Sequence, residues 1–160
     1  MGYFLIKRKH KKQYGEYHQG RYKPANPSKY KGNPTNIIYR SSWELKLFYF
    51  LDHHKDVIWW KSEELAIPYR HPLDGKIHRY FVDVICHRRK TDGTFETTMI
   101  EVKPAKEVNP PKITKRKSEK TILRETTTYA VNDAKWKAAK SYCEDRGWKF
   151  IFFTEKELGV

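Results

Sequence analysis

The chain reads as an α/β protein, with a central mixed β-sheet flanked by helices and an extended basic arm at its N-terminus. Three observations point there. Ser41 and Glu44 stand at capping-box spacing and open a stretch with helical apolar periodicity. The turn dipeptides Asp74-Gly75 and Asp92-Gly93 separate runs rich in β-branched and aromatic residues. A second helical stretch ends at Gly147 and leads straight into the apolar segment Trp148 to Phe153.

Each element follows in order. From Lys7 to about Asn36 the sequence is basic, dotted with tyrosine, and interrupted by Gly15, Gly20, Pro24, Pro27, Gly32 and Pro34. No period of a helix or strand is sustained, so residues 1–36 are expected to form an extended arm, ordered against the domain or a partner, or else a solvated tail. The folded domain is expected over 37–160. Its first helix runs from Ser41 to about His53, with Trp43, Leu47, Phe50 and Leu51 on one stripe and Glu44, Phe48 and Leu51 on the next. Val57 to Trp60 and Leu65 to Tyr69 read as short strands, and Ile77 to Cys86 as one long strand apolar on both faces, as in the middle of a covered sheet. Phe95 to Lys103 is its hairpin partner, stopped by Pro104. A basic connection through Asn109-Pro110-Pro111 and Lys115-Arg116-Lys117 leads to a helix from about Ser118, with Val131, Ala134, Ala138 and Tyr142 as its apolar seam. Trp148 to Phe153 is the last strand, and Thr154 opens a terminal helical turn.

Composition narrows the partners. With 160 residues there is room for one domain with a real core. The 33 Lys+Arg against 19 Asp+Glu give a formal net charge of +14 and call for an anionic partner, most commonly nucleic acid. A membrane surface fits poorly, since neither a basic amphipathic helix nor a long apolar run is present. The 15% aromatic content separates the chain from a basic disordered tail. Cys86 and Cys143 are far apart with no CxxC spacing, so reduced thiols are expected rather than a disulfide or zinc knuckle. The N-terminus lacks the order of a signal peptide, and no small-molecule cofactor is expected.

The chemistry-bearing pattern is Asp83 with Glu101-Val102-Lys103, and Glu44 upstream. Strand alternation puts Arg79, Phe81, Asp83 and Ile85 on one face of the long strand, and Met99, Glu101 and Lys103 on one face of its neighbour. If the hairpin register aligns the strand ends, Asp83, Glu101 and Lys103 converge at one sheet edge. Carboxylates so placed suit Mg²⁺, which takes one or two of them and keeps several waters. Such an ion would polarise a phosphodiester, with Lys103 as a point charge near the nucleophile or the developing negative charge. In a chain this basic, DNA cleavage is the first expectation. Alternatives stand beside it: Asp83 as the partner of Arg79 or a histidine, and Glu44 as a helix cap. Glu-x-Lys recurs at Glu44-Leu45-Lys46, so that tripeptide alone carries little. His53-His54 lacks a third ligand at metal spacing, Ser41-Ser42 forms no nucleophile elbow, and Glu63-Glu64 offers an extra ligand or a solvated turn.

Taken together, Glu44, Asp83 and Glu101-Val102-Lys103 resemble the PD-(D/E)xK nuclease superfamily, although Val82 stands where that motif has its proline. More narrowly, Asn36 to Glu44, Ser62 to Tyr69, Asp74 to Phe81, Asn132 to Ala139 and Arg146 to Phe150 resemble the head-completion nucleases of tailed phages. The likeness spans about residues 20–159, and it extends more distantly to TnsA-type transposon endonucleases. It implies a restriction-endonuclease-like core and a Mg²⁺-dependent DNA endonuclease of little sequence preference, with Mn²⁺ as a substitute. It implies Asp83 and Glu101 as metal ligands, Glu44 as a third acid positioning water, the Val102 carbonyl as a further ligand, and Lys103 as the catalytic lysine. Arg40, Arg79, Lys135 and Lys137 are then expected DNA contacts, against a solvated helix face for the two lysines. Double-stranded DNA and portal or head–neck proteins are the implied partners, in the phage capsid or the host cytoplasm during assembly. A structural head protein that only binds DNA, and a transposase-type subunit needing a partner, are the competing readings.

Overall fold

The computed structural model describes residues 19–160; the part of the expected arm before residue 19 lies outside them. The elements run in chain order as β1 (Gly20–Tyr22), a 3-10 turn (Pro27–Lys29), β2 (Ile37–Tyr39), α1 (Ser42–His53), β3 (Val57–Lys61), β4 (Ala66–Arg70), β5 (Ile77–Phe81), β6 (Val84–Arg89), β7 (Phe95–Val102), α2 (Ala105–Val108), α3 (Glu119–Arg146), β8 (Lys149–Phe153) and α4 (Glu155–Leu158). The central sheet has the order β3-β6-β7-β8, with β3, β6 and β7 antiparallel and β8 parallel to β7. It is therefore mixed, as the sequence predicts.

Period-two alternation splits the core across this sheet. Val84, Cys86 and Ile100 pack on one side with Leu47, Phe48 and Leu51 of α1, Trp60, and Leu158 of α4. Ile85 and Met99 pack on the other with Ala139 and Cys143 of α3 and with Ile67, Tyr69 and Tyr80 of the β4–β5 hairpin. Both cysteines are buried free thiols.

The structure refines the expected elements. The run Ile77 to Cys86 is not one strand. β5 pairs with β4 in a separate two-stranded sheet, while β6 pairs with β3 and β7. The chain changes partners at Val82-Asp83, so the apolar residues on both faces belong to two sheets and the shared face of Arg79, Phe81, Asp83 and Ile85 does not exist. Phe81 is 48% exposed, whereas Ile85 is 1% exposed. The segment from Gly20 to Asn36 lies against the domain, one of the two placements expected for the arm: β1 pairs with β2, and Tyr22 and Tyr30 join the α1-side core. Finally, the fully buried stripe of α3 is Trp136, Ala139 and Cys143, with Val131, Ala134, Ala138 and Tyr142 only partly buried beside it.

Buried Asp52 explains how that early segment is held. Its carboxylate accepts the Tyr22 hydroxyl at 2.7 Å and the backbone N–H groups of Ala25 and Asn26 at 2.7 and 3.0 Å. Burial alone would raise its pKa, but these three donors outweigh it and hold the carboxyl below its ordinary value. The other expected punctuation is present. The β4–β5 turn carries Gly75, Gly93 turns β6 into β7, and Gly147 ends α3 in the left-handed conformation at φ 67°. Among the described residues no helix is long and apolar enough to cross a membrane.

Candidate active site

The antiparallel register of β6 and β7 pairs Val84 with Ile100, which brings Asp83 beside the end of β7. There the Val102 N–H donates to Asp83 Oδ2 at 2.9 Å, and the Glu101 carboxylate lies near enough for its charge to raise the Asp83 pKa. β7 ends because Pro104 has no N–H to continue the ladder. Just before it, the Lys103 N–H donates to the Phe153 carbonyl at 3.0 Å, so the lysine is fixed between strands. Glu101 and Lys103 share a face, as parity predicts, with Lys103 Nζ 3.9 Å from Glu101 Oε1. That face looks toward the β4–β5 hairpin. Tyr80 donates its hydroxyl to Glu101 Oε2, a contact that sequence reasoning missed because β5 belongs to a different sheet.

Glu44 reaches the cluster from the first turn of α1. Ser41 Oγ accepts the Glu44 N–H at 3.1 Å, which is half of the expected capping box. The reciprocal half differs: the Glu44 carboxylate accepts the backbone N–H of Arg40 at 2.7 Å, one residue before the cap. The Glu44 charge is felt at Asp83.

The electrostatics are those of crowded acids. Asp83 is raised well above the ordinary carboxylate range, first by burial and then by the charges of Glu101 and Glu44, against the opposing Val102 N–H. Glu44 is also raised, by burial and by Glu63 and Glu101, with the Arg40 backbone N–H and side chain opposing. Crowded carboxyls with a deficit of positive charge offer oxygen donors that fit a hard divalent cation such as Mg²⁺. Asp83 and Glu101 are the close pair. Among the described residues only His71, Asp74 and His78 bring three ligand atoms within 4.8 Å of one another, so Glu44 stands back from the pair.

The expected DNA contacts fare differently. Arg40 is engaged by Glu63 in a two-pronged ion pair, Nε to Oε1 at 2.8 Å and Nη2 to Oε2 at 3.0 Å. Glu63 is the one described non-glycine residue with positive φ, 53°. Arg79 lies on the outer face of the hairpin, its guanidinium 5.5 Å from the Phe81 ring centroid. Lys135 and Lys137 do not share a surface. Lys135 Nζ sits 5.9 Å from the ring centroids of both Tyr69 and Tyr80, against the hairpin. Lys137 pairs with Asp133 at 2.8 Å on the exposed side of α3. A groove of about 770 Å³ opens past Lys103, between α2, the connection after it and α3, lined by Lys106, Lys112, Lys117, Arg124 and Tyr129 among others.

Comparison with known proteins shows the family. Residues 54–155 match the family model described as TnsA-like endonuclease N terminal. The chain is also similar to the head completion nuclease of Enterobacteria phage T4, 41% identical over 145 residues that cover 88% of this chain and 93% of the phage protein. A match across the sheet that carries the acid cluster, with a relative this similar over nearly the whole of both chains, places the chain in the TnsA-like endonuclease family.

Proposed function

We propose that this protein is a metal-dependent endonuclease that hydrolyses phosphodiester bonds of double-stranded DNA during phage head completion. The observation that carries the reading is the meeting of Asp83, Glu101 and Lys103 at one end of the sheet, where the Val102 N–H holds Asp83 at 2.9 Å and Lys103 lies 3.9 Å from Glu101. Asp83 and Glu101 would hold Mg²⁺, or Mn²⁺ in its place, with the Val102 carbonyl as a backbone ligand. When bound, the ion supplies Lewis acidity at the scissile phosphate and a water more acidic than bulk.

The protein's own groups do the rest. Tyr80 fixes the rotamer of Glu101 through its hydroxyl, leaving Oε1 turned toward Lys103. Lys103 is partly buried and backbone-anchored, so its ammonium offers preorganised charge to the developing oxyanion or to the attacking water. Glu44, set back from the pair, would accept a hydrogen bond from an attacking water and orient it. The basic groove beyond Lys103 carries the flanking phosphates, and Arg40 becomes a phosphate contact when released from Glu63. No inserted recognition element is present among the described residues, which favours low sequence preference. Action at the portal after packaging, with portal or head–neck proteins as neighbours and the assembling head in the host cell as its place, is part of this proposal, and the name of the phage relative, a head completion nuclease, supports the head-completion setting alone.

The test is supercoiled plasmid incubated with the protein and Mg²⁺ or Mn²⁺. Nicking or linearisation is expected, with Asp83→Ala and Lys103→Ala each slower by about 10²-fold or more. Parent-like cutting by both variants overturns the mechanism. The TnsA-like match favours a second reading, a subunit that cuts only beside a partner protein, and cleavage that begins only on adding that partner would select it. Metal-independent DNA binding with no cleavage would instead mark a structural head protein.

A further inference from the structure

A second cluster lies outside the acid site, at the tip of the β4–β5 hairpin. His71 follows β4, Asp74 sits in the turn, and His78 lies on β5, an H-x-x-D-x-x-x-H pattern that the sequence reading passed over as a turn. One ligand atom from each of the three falls within 4.8 Å of the other two. Asp74 Oδ2 is 2.8 Å from His78 Nε2, and Asp74 Oδ1 is 3.9 Å from His71 Nδ1. The two imidazole rings lie 4.5 Å apart, centroid to centroid.

The scaffold under these groups is already set. The His71 N–H donates to the Lys76 carbonyl and the Gly75 N–H to the His71 carbonyl, both at 2.8 Å. The Lys76 N–H fixes Asp74 Oδ1 at 2.8 Å, and the Arg70 guanidinium holds the Gly75 carbonyl at 2.6 Å. Ligands about 2.0–2.1 Å from a tetrahedral ion stand about 3.4 Å from one another, so the observed spacings bracket what such an ion needs. His71 Nδ1 accepts the Leu73 N–H at 3.3 Å, a long contact that a metal bond readily replaces.

We propose that His71, Asp74 and His78 form a binding site for a zinc-class divalent transition ion, separate from the acid cluster and of different selectivity. Two imidazoles with one carboxylate make a borderline-soft set that favours zinc, cobalt or nickel, whereas the carboxyls of Asp83, Glu101 and Glu44 favour magnesium. Three protein ligands leave a fourth position for water. The ion ties the turn of the hairpin to β5. Tyr69 lies 6.1 Å from both imidazoles, and farther along the same strand face Tyr80 holds Glu101. The ion thus stiffens the element that orients a carboxylate of the acid site. This assignment stands independently of the nuclease reading.

The experiment uses the full chain without a histidine tag, stripped of metal and titrated with Co²⁺ and then Zn²⁺. Visible d–d absorption of tetrahedral Co²⁺, displaced by Zn²⁺, is expected. His71→Ala/His78→Ala should weaken Zn²⁺ binding at least tenfold and abolish those bands, while Asp83→Ala/Glu101→Ala keeps both. Zn²⁺ should raise the thermal midpoint of the parent but not of the double histidine variant, whose changes are near the surface and leave the fold intact. Equal Zn²⁺ affinity in parent and histidine variant overturns the proposal, as does loss of the signal in the acid variant instead.

Discussion

Asp83 concentrates the conflict between stability and function in one side chain. Folding places its carboxyl against Glu101 and near Glu44, and the pKa rises well above the ordinary range through burial and those two charges. In the unfolded chain the same group titrates near pH 4. The folded state therefore keeps its proton where the unfolded chain has released it, and metal-free stability falls as pH rises from the unfolded pKa through the folded one. Asp83→Asn cannot ionise and retains an acceptor for the Val102 N–H. At neutral pH the metal-free variant should melt higher than the parent, by about 2–4 °C for each kcal/mol relieved, and the difference should shrink toward pH 4. A variant that melts lower at neutral pH would contradict this account. The charged form that costs stability is the form that suits a divalent ion, so this residue trades one for the other.

At the scale of elements, the last turn of α1 and the segment from Tyr22 to Lys29 depend on Asp52. Its low pKa contributes stability above the unfolded value, lost as pH falls through the folded one. Asp52→Ala leaves the Tyr22 hydroxyl and two backbone N–H groups without their acceptor, at a cost of roughly 3 kcal/mol. Chemical denaturation should show that loss, and amide exchange at Ala25 and Asn26 should accelerate; unchanged protection there would show that other contacts hold the segment. Asp52 also marks where sequence reasoning stopped. Helical periodicity identified the neighbours of Asp52, but nothing local tells that a polar residue at the end of a helix will be buried by donors from far upstream. The same limit hid the two-sheet division of Ile77 to Cys86, since a chain that swaps partners at Val82-Asp83 keeps its apolar pattern unbroken. Glu101 and Lys103 were legible because strand parity is a local property. Their meeting with Asp83 depended on register, which the Asp92-Gly93 turn helps set. Tyr80 and the Arg40–Glu63 pair were not legible, because each joins elements that the sequence gives no means of aligning.

For the whole molecule, the excess of cations and the acid cluster have opposite requirements that, in the proposed function, DNA and a metal ion would reconcile. A formal net charge of +14 provides phosphate contacts, and binding to any duplex should weaken linearly in log salt, by about 0.9 log units per phosphate neutralised for each tenfold rise. A flat salt dependence would mean that the basic surface is not the DNA surface. The central claim concerns what happens once the duplex is bound, and single-turnover cleavage of a labelled duplex in Mg²⁺ addresses it most directly, with affinity measured in parallel for the parent and Lys103→Ala. The account predicts nearly unchanged affinity for the variant and a cleavage rate lower by about 10²–10³-fold. A variant that binds like the parent and cuts as fast would contradict it.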